Sequence, residues 1–242
     1  MKPAAIAYLQ LIRLPNLFTA AADSLAGWLL VNGSLENPSR WIFLPLASVV
    51  LYAAGTALND ILDIEIDRRE RPGRPLPSKR ASYRIAALLA AIGLIAGPIL
   101  ASLSGSWASG VVAFSLAICI VSYDLVFKKT VLGPELMGAC RALNLLLGMS
   151  HAPELGGPVA WTAAIGYGLF VTGITWISRS ETETGQTKGL LAGLVLQNLA
   201  ILAIAGASLR HRQFPLANPE QPLIPAEGLL VLAIVALLVN LS

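Results

Sequence analysis

Asn59 to Lys79 reads NDILDIEIDRRERPGRPLPSK. Asp60, Asp63, Glu65 and Asp67 follow an apolar run, and Arg68, Arg69, Arg71, Arg74 and Lys79 come next. Asn59, Asp63 and Asp67 stand at i, i+4 and i+8. On a helix these positions share one face, drifting only about 40° per step. Three oxygen donors on one face suit a hard cation such as Mg²⁺, which takes one or two carboxylates and completes its shell with water and phosphate oxygens. The arginines beyond suit the phosphates themselves. Acids followed by bases at a helix end are often only a solvated loop. Against that stand the regular spacing, the start at the edge of an apolar helix, and Pro72 and Pro75 interleaved with Arg71 and Arg74.

Working outward, the chain of 242 residues is 55% hydrophobic and 13% charged, with a mean hydropathy of +0.69. A soluble domain carries about 25% charged residues. The composition predicts an all-α, polytopic transmembrane bundle built from spans of about 20 residues. No polar stretch is long enough for a second unit, so 1–242 reads as one integral-membrane domain. The net charge of +3 reads as loop charge rather than a nucleic-acid surface. Cys119 and Cys140 show no partner spacing, and His151 and His211 make no metal-ligand pattern.

Residues 1–14 predict an amphipathic surface helix. Membrane helices follow at about 16–31, 41–60, 84–103, 107–125, 134–152, 158–177, 188–209 and 224–241. The second is expected to continue through Asp67 until Pro72, Gly73, Pro75 and Pro77 stop it. Asp23 lies inside the first. A carboxylate at that depth should face the bundle interior, either to orient or deprotonate a substrate or to make a polar contact between helices. Arg141 in the fifth either serves the same site or pairs with Asp124 or Glu135.

Basic residues sort by side. With the 61–83 loop in the cytoplasm, Lys2, Arg13, Lys128, Lys129, Arg179 and Lys188 fall on the same side, leaving Arg40, Arg210 and Arg212 on the other. Eight spans put both termini in the cytoplasm. The charged clusters after helices 2, 4 and 6 then share one face.

The motif Asn59-Asp60-x-x-Asp63-x-x-x-Asp67, followed by Arg71-Pro72-Gly73-Arg74-Pro75-Leu76-Pro77, resembles the first signature of the UbiA superfamily of membrane prenyltransferases. The likeness extends to the Arg13-to-Asn16 RLPN opening, to Tyr123 with Lys128 and Lys129, and to an acidic turn after helix 6. The wording of that turn, Ile177-Ser178-Arg179-Ser180-Glu181, is similar to EboC-type members. The resemblance implies a Mg²⁺-dependent transfer of a polyprenyl group from polyprenyl diphosphate to an aromatic or other hydrophobic acceptor, within a prokaryotic cell membrane. It implies that Asn59, Asp63 and Asp67 hold the first Mg²⁺, with Asp60 near it. Lys128 and Lys129 would hold diphosphate beside Tyr123; their other reading is a positive-inside anchor. Arg13, Arg71 and Arg74 are further candidates for phosphate.

Two features depart from the family pattern. Its second motif offers aspartates four apart, whereas Glu181 and Glu183 stand two apart. A regular helix turns those roughly 200° from each other. They are nonetheless the candidate ligands of a second metal. The family usually has nine helices against the eight expected here. A rival reading is therefore a non-catalytic UbiA-like protein that binds or transports a prenyl or other hydrophobic metabolite. Eight lipid-length spans argue against a soluble terpene synthase. Acids gathered at helix ends rather than at the bilayer midplane argue against an ordinary secondary transporter.

Overall fold

The computed structural model of the chain describes residues 3–182 and 187–213. Among the described residues all regular structure is helical. The helices are α1 (Pro3–Leu11), α2 (Leu14–Asn32), α3 (Pro38–Trp41), α4 (Phe43–Leu62), α5 (Ile64–Glu70), α6 (Tyr83–Ser102), α7 (Trp107–Ser122), α8 (Gly133–Met149), α9 (Gly157–Thr182) and α10 (Thr187–Gln213). The seven membrane helices expected up to residue 209 all form. The eighth, 224–241, lies outside the described residues. Among the described residues, five segments are long and apolar enough to cross a membrane: Leu14–Asn32, Pro38–Leu62, Tyr83–Ser102, Trp107–Phe127 and Ala160–Arg179. The 17-residue α8, which carries Glu135 and Arg141, falls short of that measure. The chain is a multi-pass integral membrane protein.

Local sequence explains the helix ends. Pro15 occupies the first turn of α2, where its missing N–H costs nothing. Gly33 closes that helix at φ 72°, its N–H donating to the Leu29 carbonyl. α4 and α5 are almost one helix. Asp63 sits between them at φ −88°, ψ 4°, yet Asp63 N still donates to Asn59 O (3.0 Å) and Asp67 N to Asp63 O (2.8 Å). The acidic motif therefore does extend helically past Asp67, to Glu70.

Helix α6 shows how the bundle is sorted. Ala86, Ala90, Gly93, Gly97 and Ala101 face inward. Ile85, Ile92, Ile95 and Ile99 face outward, 45–65% exposed. Large aliphatics outside and small residues inside are the arrangement a lipid solvent favours, because helices gain by close packing rather than by hiding apolar groups. The tightest crossing joins α2 to α8. A Cβ on Gly27 would lie 2.1 Å from the Leu145 carbonyl oxygen, and one on Gly148 would lie 1.8 Å from that of Ser24. Only glycine permits that approach.

The loop 71–82 is anchored at Pro75, Leu76 and Ala81, which are buried, while Arg71–Gly73 and Ser78–Arg80 are exposed. Leu76 and Ala81 are buried against Ala7 and Leu11 of α1, Ala57 of α4, and Ala86 and Ala90 of α6. Tyr8 Oη accepts from Ser82 N at 3.1 Å. α1 and this loop thus form one cap over an end of the bundle.

Candidate active site

Helix α7 does not end regularly. Tyr123–Phe127 forms a π-helical turn, closed by Lys128 N donating to Tyr123 O at 2.8 Å. Such a wide turn adds a residue to the helix and commonly marks a functional position. Here it carries the Lys128 side chain to the end of α4. Lys128 Nζ donates to Asn59 Oδ1 at 2.6 Å and also to Asp63 Oδ2. Asn59 Nδ2 donates to the same Asp63 oxygen, Oδ2, at 3.3 Å. Arg179, in the last turn of α9, donates to the carbonyls of Thr130 (2.6 Å) and Lys129 (3.4 Å). The ends of α4, α7 and α9 therefore meet at one end of the bundle, as the spacing of their charged clusters predicts.

The other motif carboxylates face arginines. Asp67 Oδ2 accepts from Arg74 Nη1 at 2.6 Å. Asp60 Oδ1 lies 3.4 Å from Arg13 Nη2 and 3.5 Å from Arg74 Nη1. Both aspartates are buried, and desolvated carboxylates persist as anions only beside such partners. Arg13 adopts φ 51°, ψ 56° between α1 and α2. That left-handed geometry is unusual for a side chain of this size and costs roughly 1–2 kcal/mol. It aims the guanidinium at Asp60.

A chamber of about 160 Å³ opens below these groups. Asn59, Tyr123 and Asp124 line one part of it, Leu116 and Ile120 its apolar wall, and Arg141 and Asn144 another part. Beside it lies a further ion pair. Arg141 Nη1 donates to Asp23 Oδ2 at 2.8 Å, Tyr167 Oη to Asp23 Oδ1 at 2.9 Å, and Asn144 Nδ2 to Asp23 Oδ2 at 3.3 Å. The Arg141 guanidinium also sits 5.6 Å from the centre of the Tyr52 ring. Asn144 is fixed in turn by Ser48 Oγ, 2.6 Å from its Oδ1. Arg141 thus pairs with neither Asp124 nor Glu135: Glu135 Oε1 accepts from Trp176 Nε1 at 3.1 Å instead. Asp23 makes an interhelical contact, and its partners Arg141 and Asn144 also wall the chamber.

The structure brings Asn59, Asp63, Lys128 and Tyr123 together, and sets Asp60, Asp67, Arg13 and Arg74 beside them. It does not bring in Lys129, whose side chain is exposed while its carbonyl receives Arg179. Arg71 lies at the rim of a separate hollow. Glu181 is in the final turn of α9, but its side chain, like the whole of Glu183, lies outside the described residues. Cys119 and Cys140, unpaired by spacing, approach to 3.3 Å between sulfurs. Tyr167 escapes sequence reading because its partner Asp23 is 144 positions away, and Arg80 because it reads as one more base of a basic loop, its contact with Gln10 lying 70 positions away.

The fit of a divalent cation can be judged from the atoms present. Asn59 Oδ1 and Asp63 Oδ2 already converge on one cationic group, the Lys128 ammonium. Two protein oxygens leave most of a Mg²⁺ shell to water and phosphate, as that ion prefers. Among the described residues no three His, Cys, Asp or Glu side chains form a complete protein cage. The donor set fits a metal shared with a phosphate ligand.

Comparison with known proteins agrees with this architecture. Residues 20–211 match the model of the UbiA prenyltransferase family, and the chain belongs to that family. A protein of Metallosphaera sedula named digeranylgeranylglyceryl phosphate synthase is 30% identical over 142 residues, 58% of this chain and 50% of the relative. A protein of the same name from Sulfolobus acidocaldarius is 42% identical over 94 residues, 37% of this chain and 34% of the relative. The chain spans about half the length, or less, of these curated relatives. A solved structure described as concerning digeranylgeranylglyceryl phosphate synthase in membranes superposes with a TM-score of 0.70. It is 21% identical and covers 98% of this chain and 96% of its own. That likeness is one of fold.

Proposed function

We propose that this chain works as a single membrane domain that transfers a polyprenyl group from polyprenyl diphosphate to an acceptor nucleophile. The observation that carries it is the convergence of Asn59 Oδ1, Asp63 Oδ2 and Lys128 Nζ at the mouth of a largely apolar chamber. Asn59 and Asp63, with Asp67 one turn on, would hold Mg²⁺, which screens the charge of a bound diphosphate and so improves it as a leaving group. Lys128 contributes a fixed ammonium to the same diphosphate. Its position among oxygen acceptors in a poorly hydrated site strengthens that interaction relative to water. The allylic C–O bond breaks with its electron pair passing to diphosphate. A lone pair of the acceptor then closes on the allylic carbon, and the acceptor gives up its proton. Leu116 and Ile120 keep water from competing for that carbon.

By the positive-inside bias, the site faces the cytoplasm. The names of the relatives put a prenylated glyceryl phosphate in the acceptor pool, beside aromatic acids and quinol precursors. A second reading, binding or transport without transfer, is favoured by the two-residue spacing of Glu181 and Glu183. Glu181→Gln separates the two: a transferase loses turnover faster than donor binding, while a binding protein changes in binding alone.

The deciding experiment is radiolabelled polyprenyl diphosphate with purified protein and mixed acceptors, with Mg²⁺ or with chelator. Mg²⁺-dependent diphosphate release with a labelled product is expected. Mg²⁺-dependent binding without release would replace transfer by the second reading.

A further inference from the structure

Among the described residues, every carboxylate that is buried or half-buried has a protein donor, except that of Asp124. Asp23, Asp60 and Asp67 each have an arginine, Asp63 has Lys128, and Glu135 has Trp176. Asp124 is half-buried, and no hydrogen bond or ion pair reaches its carboxylate. It lines the chamber beside Tyr123 and Asn59. The next two residues, Leu125 and Val126, are exposed on the outside of the same turn. An undonated carboxylate is costly in such a setting, and an ionisable group within a membrane helix marks function by default.

The π-helical turn explains how Asp124 comes to be left alone. Its natural partner is Lys128, four residues on, since an acid and a lysine at that spacing meet on a regular helix. The wider turn over Tyr123–Phe127 breaks the spacing, and the Lys128 ammonium goes across to Asn59 and Asp63 instead. The other cations that line the chamber are also taken: Arg13 lies against Asp60 and Arg141 against Asp23. Asp124 therefore offers the chamber a hydrogen-bond acceptor that nothing in the protein uses. A diphosphate, itself an anion, gains nothing from it. A nucleophile that carries a proton does.

We infer that Asp124 is the proton acceptor of the transfer. The inference rests on the transferase reading and names the group that takes the proton the acceptor gives up. The Asp124 carboxylate accepts a hydrogen bond from the nucleophile's proton-bearing atom, next to the place where Asn59 and Lys128 hold the diphosphate. As the allylic C–O bond breaks, its electron pair leaves with diphosphate. The nucleophile's lone pair closes on the allylic carbon. The pair of its bond to hydrogen stays on the nucleophile, and the proton passes to an Asp124 carboxylate oxygen. Water takes that proton when the product leaves, which restores the anion. Asp124 thus acts on the acceptor, and Lys128, from the other end of the same turn, on the donor.

The test uses the full chain in nanodiscs with Mg²⁺ and radiolabelled geranylgeranyl diphosphate. The acceptors are a prenylated glyceryl phosphate, para-hydroxybenzoate and a dihydroxynaphthalene, and product and diphosphate release are followed separately. Asp124→Ala is expected to lower kcat about a hundredfold, the contribution of a positioned general base. Mg²⁺-dependent donor binding should stay within about twofold, since the contact is made to the acceptor alone. Formate, which fits the space the side chain vacates and replaces its basic oxygen, should restore the rate of Asp124→Ala about tenfold. Asp124→Asn, which keeps the shape and fills the space, should be equally slow and indifferent to formate. Three outcomes would overturn the inference. Asp124→Asn could turn over within about twofold of wild type, well short of the loss of a base. Either variant could lose donor binding along with kcat, which would place Asp124 in the diphosphate or metal site. The loss in Asp124→Ala could be untouched by formate, which would make the residue a structural one. A wild type that binds the donor with Mg²⁺ but releases no diphosphate would strike the transferase reading itself, and is separately visible.

Discussion

Lys128 meets Asp63 where α4 ends, whereas Arg141 meets Asp23 midway along α2 and α8. Both are acid–base pairs in an apolar protein, but their surroundings differ. Asp23 spends both oxygens on three donors, from Arg141, Asn144 and Tyr167, and Arg141 lies against Tyr52 as well. Every member of that group is held by the bundle. Lys128 instead arrives from an irregular turn, and its partners Asn59 and Asp63 sit at a helix break. The Arg141–Asp23 pair is saturated by protein, and its removal should be felt as lost stability. The Lys128–Asp63 pair offers a cation and converging oxygens that a ligand can take over, and its removal should be felt as lost chemistry.

Substitutions sharpen this contrast. The largest effect is expected for Asp63→Ala. Loss of a carboxylate that would hold the Mg²⁺ screening the diphosphate should lower turnover about a thousandfold, with an unchanged elution profile in detergent. Normal turnover would remove the motif from the mechanism. Lys128→Met should cost about a hundredfold in kcat, while Lys129→Met changes it by no more than about twofold, since an exposed charge contributes little. Equal losses at both positions would reinstate the positive-inside reading of this turn. Asp23→Leu should cost about 2 kcal/mol of stability, the penalty for stranding Arg141 discounted for its partial exposure. Thermal unfolding checks this, and Asp23→Leu with Arg141→Met should recover most of the loss. A double variant as weak as the single would mean that the pair is not the stabilising unit. The smallest effect is expected for Arg179→Ala. Freeing the carbonyls of Lys129 and Thr130 loosens the turn that carries Lys128, at about 1 kcal/mol or roughly fivefold in kcat, without a change in stability as large as that of Asp23→Leu.

These pairs also mark where sequence reading succeeds. The helices were legible because apolar runs of about 20 residues leave few alternatives in a membrane, and their predicted limits fall within a few residues of those observed up to α10. The motif was legible because Asn59, Asp63 and Asp67 follow one helical period. What spacing cannot supply is the partner across the bundle. Arg141 has Glu135 and Asp124 nearer in sequence, and its true partner, Asp23, is 118 positions away. Lys128 and Lys129 are indistinguishable as letters, and a π-helical turn decides which of them points inward. Arg80 looks like one more base in a basic loop until Gln10 and Gly73 are seen to hold it.

The glycine crossing of α2 and α8 has a consequence for traffic. With Gly27 under the Leu145 carbonyl and Gly148 under that of Ser24, these two backbones leave no seam that a hydrocarbon tail could part. On the proposed transferase reading, a long isoprenoid would have to thread into the chamber by another gap between helices, with the α2–α8 crossing as a closed wall.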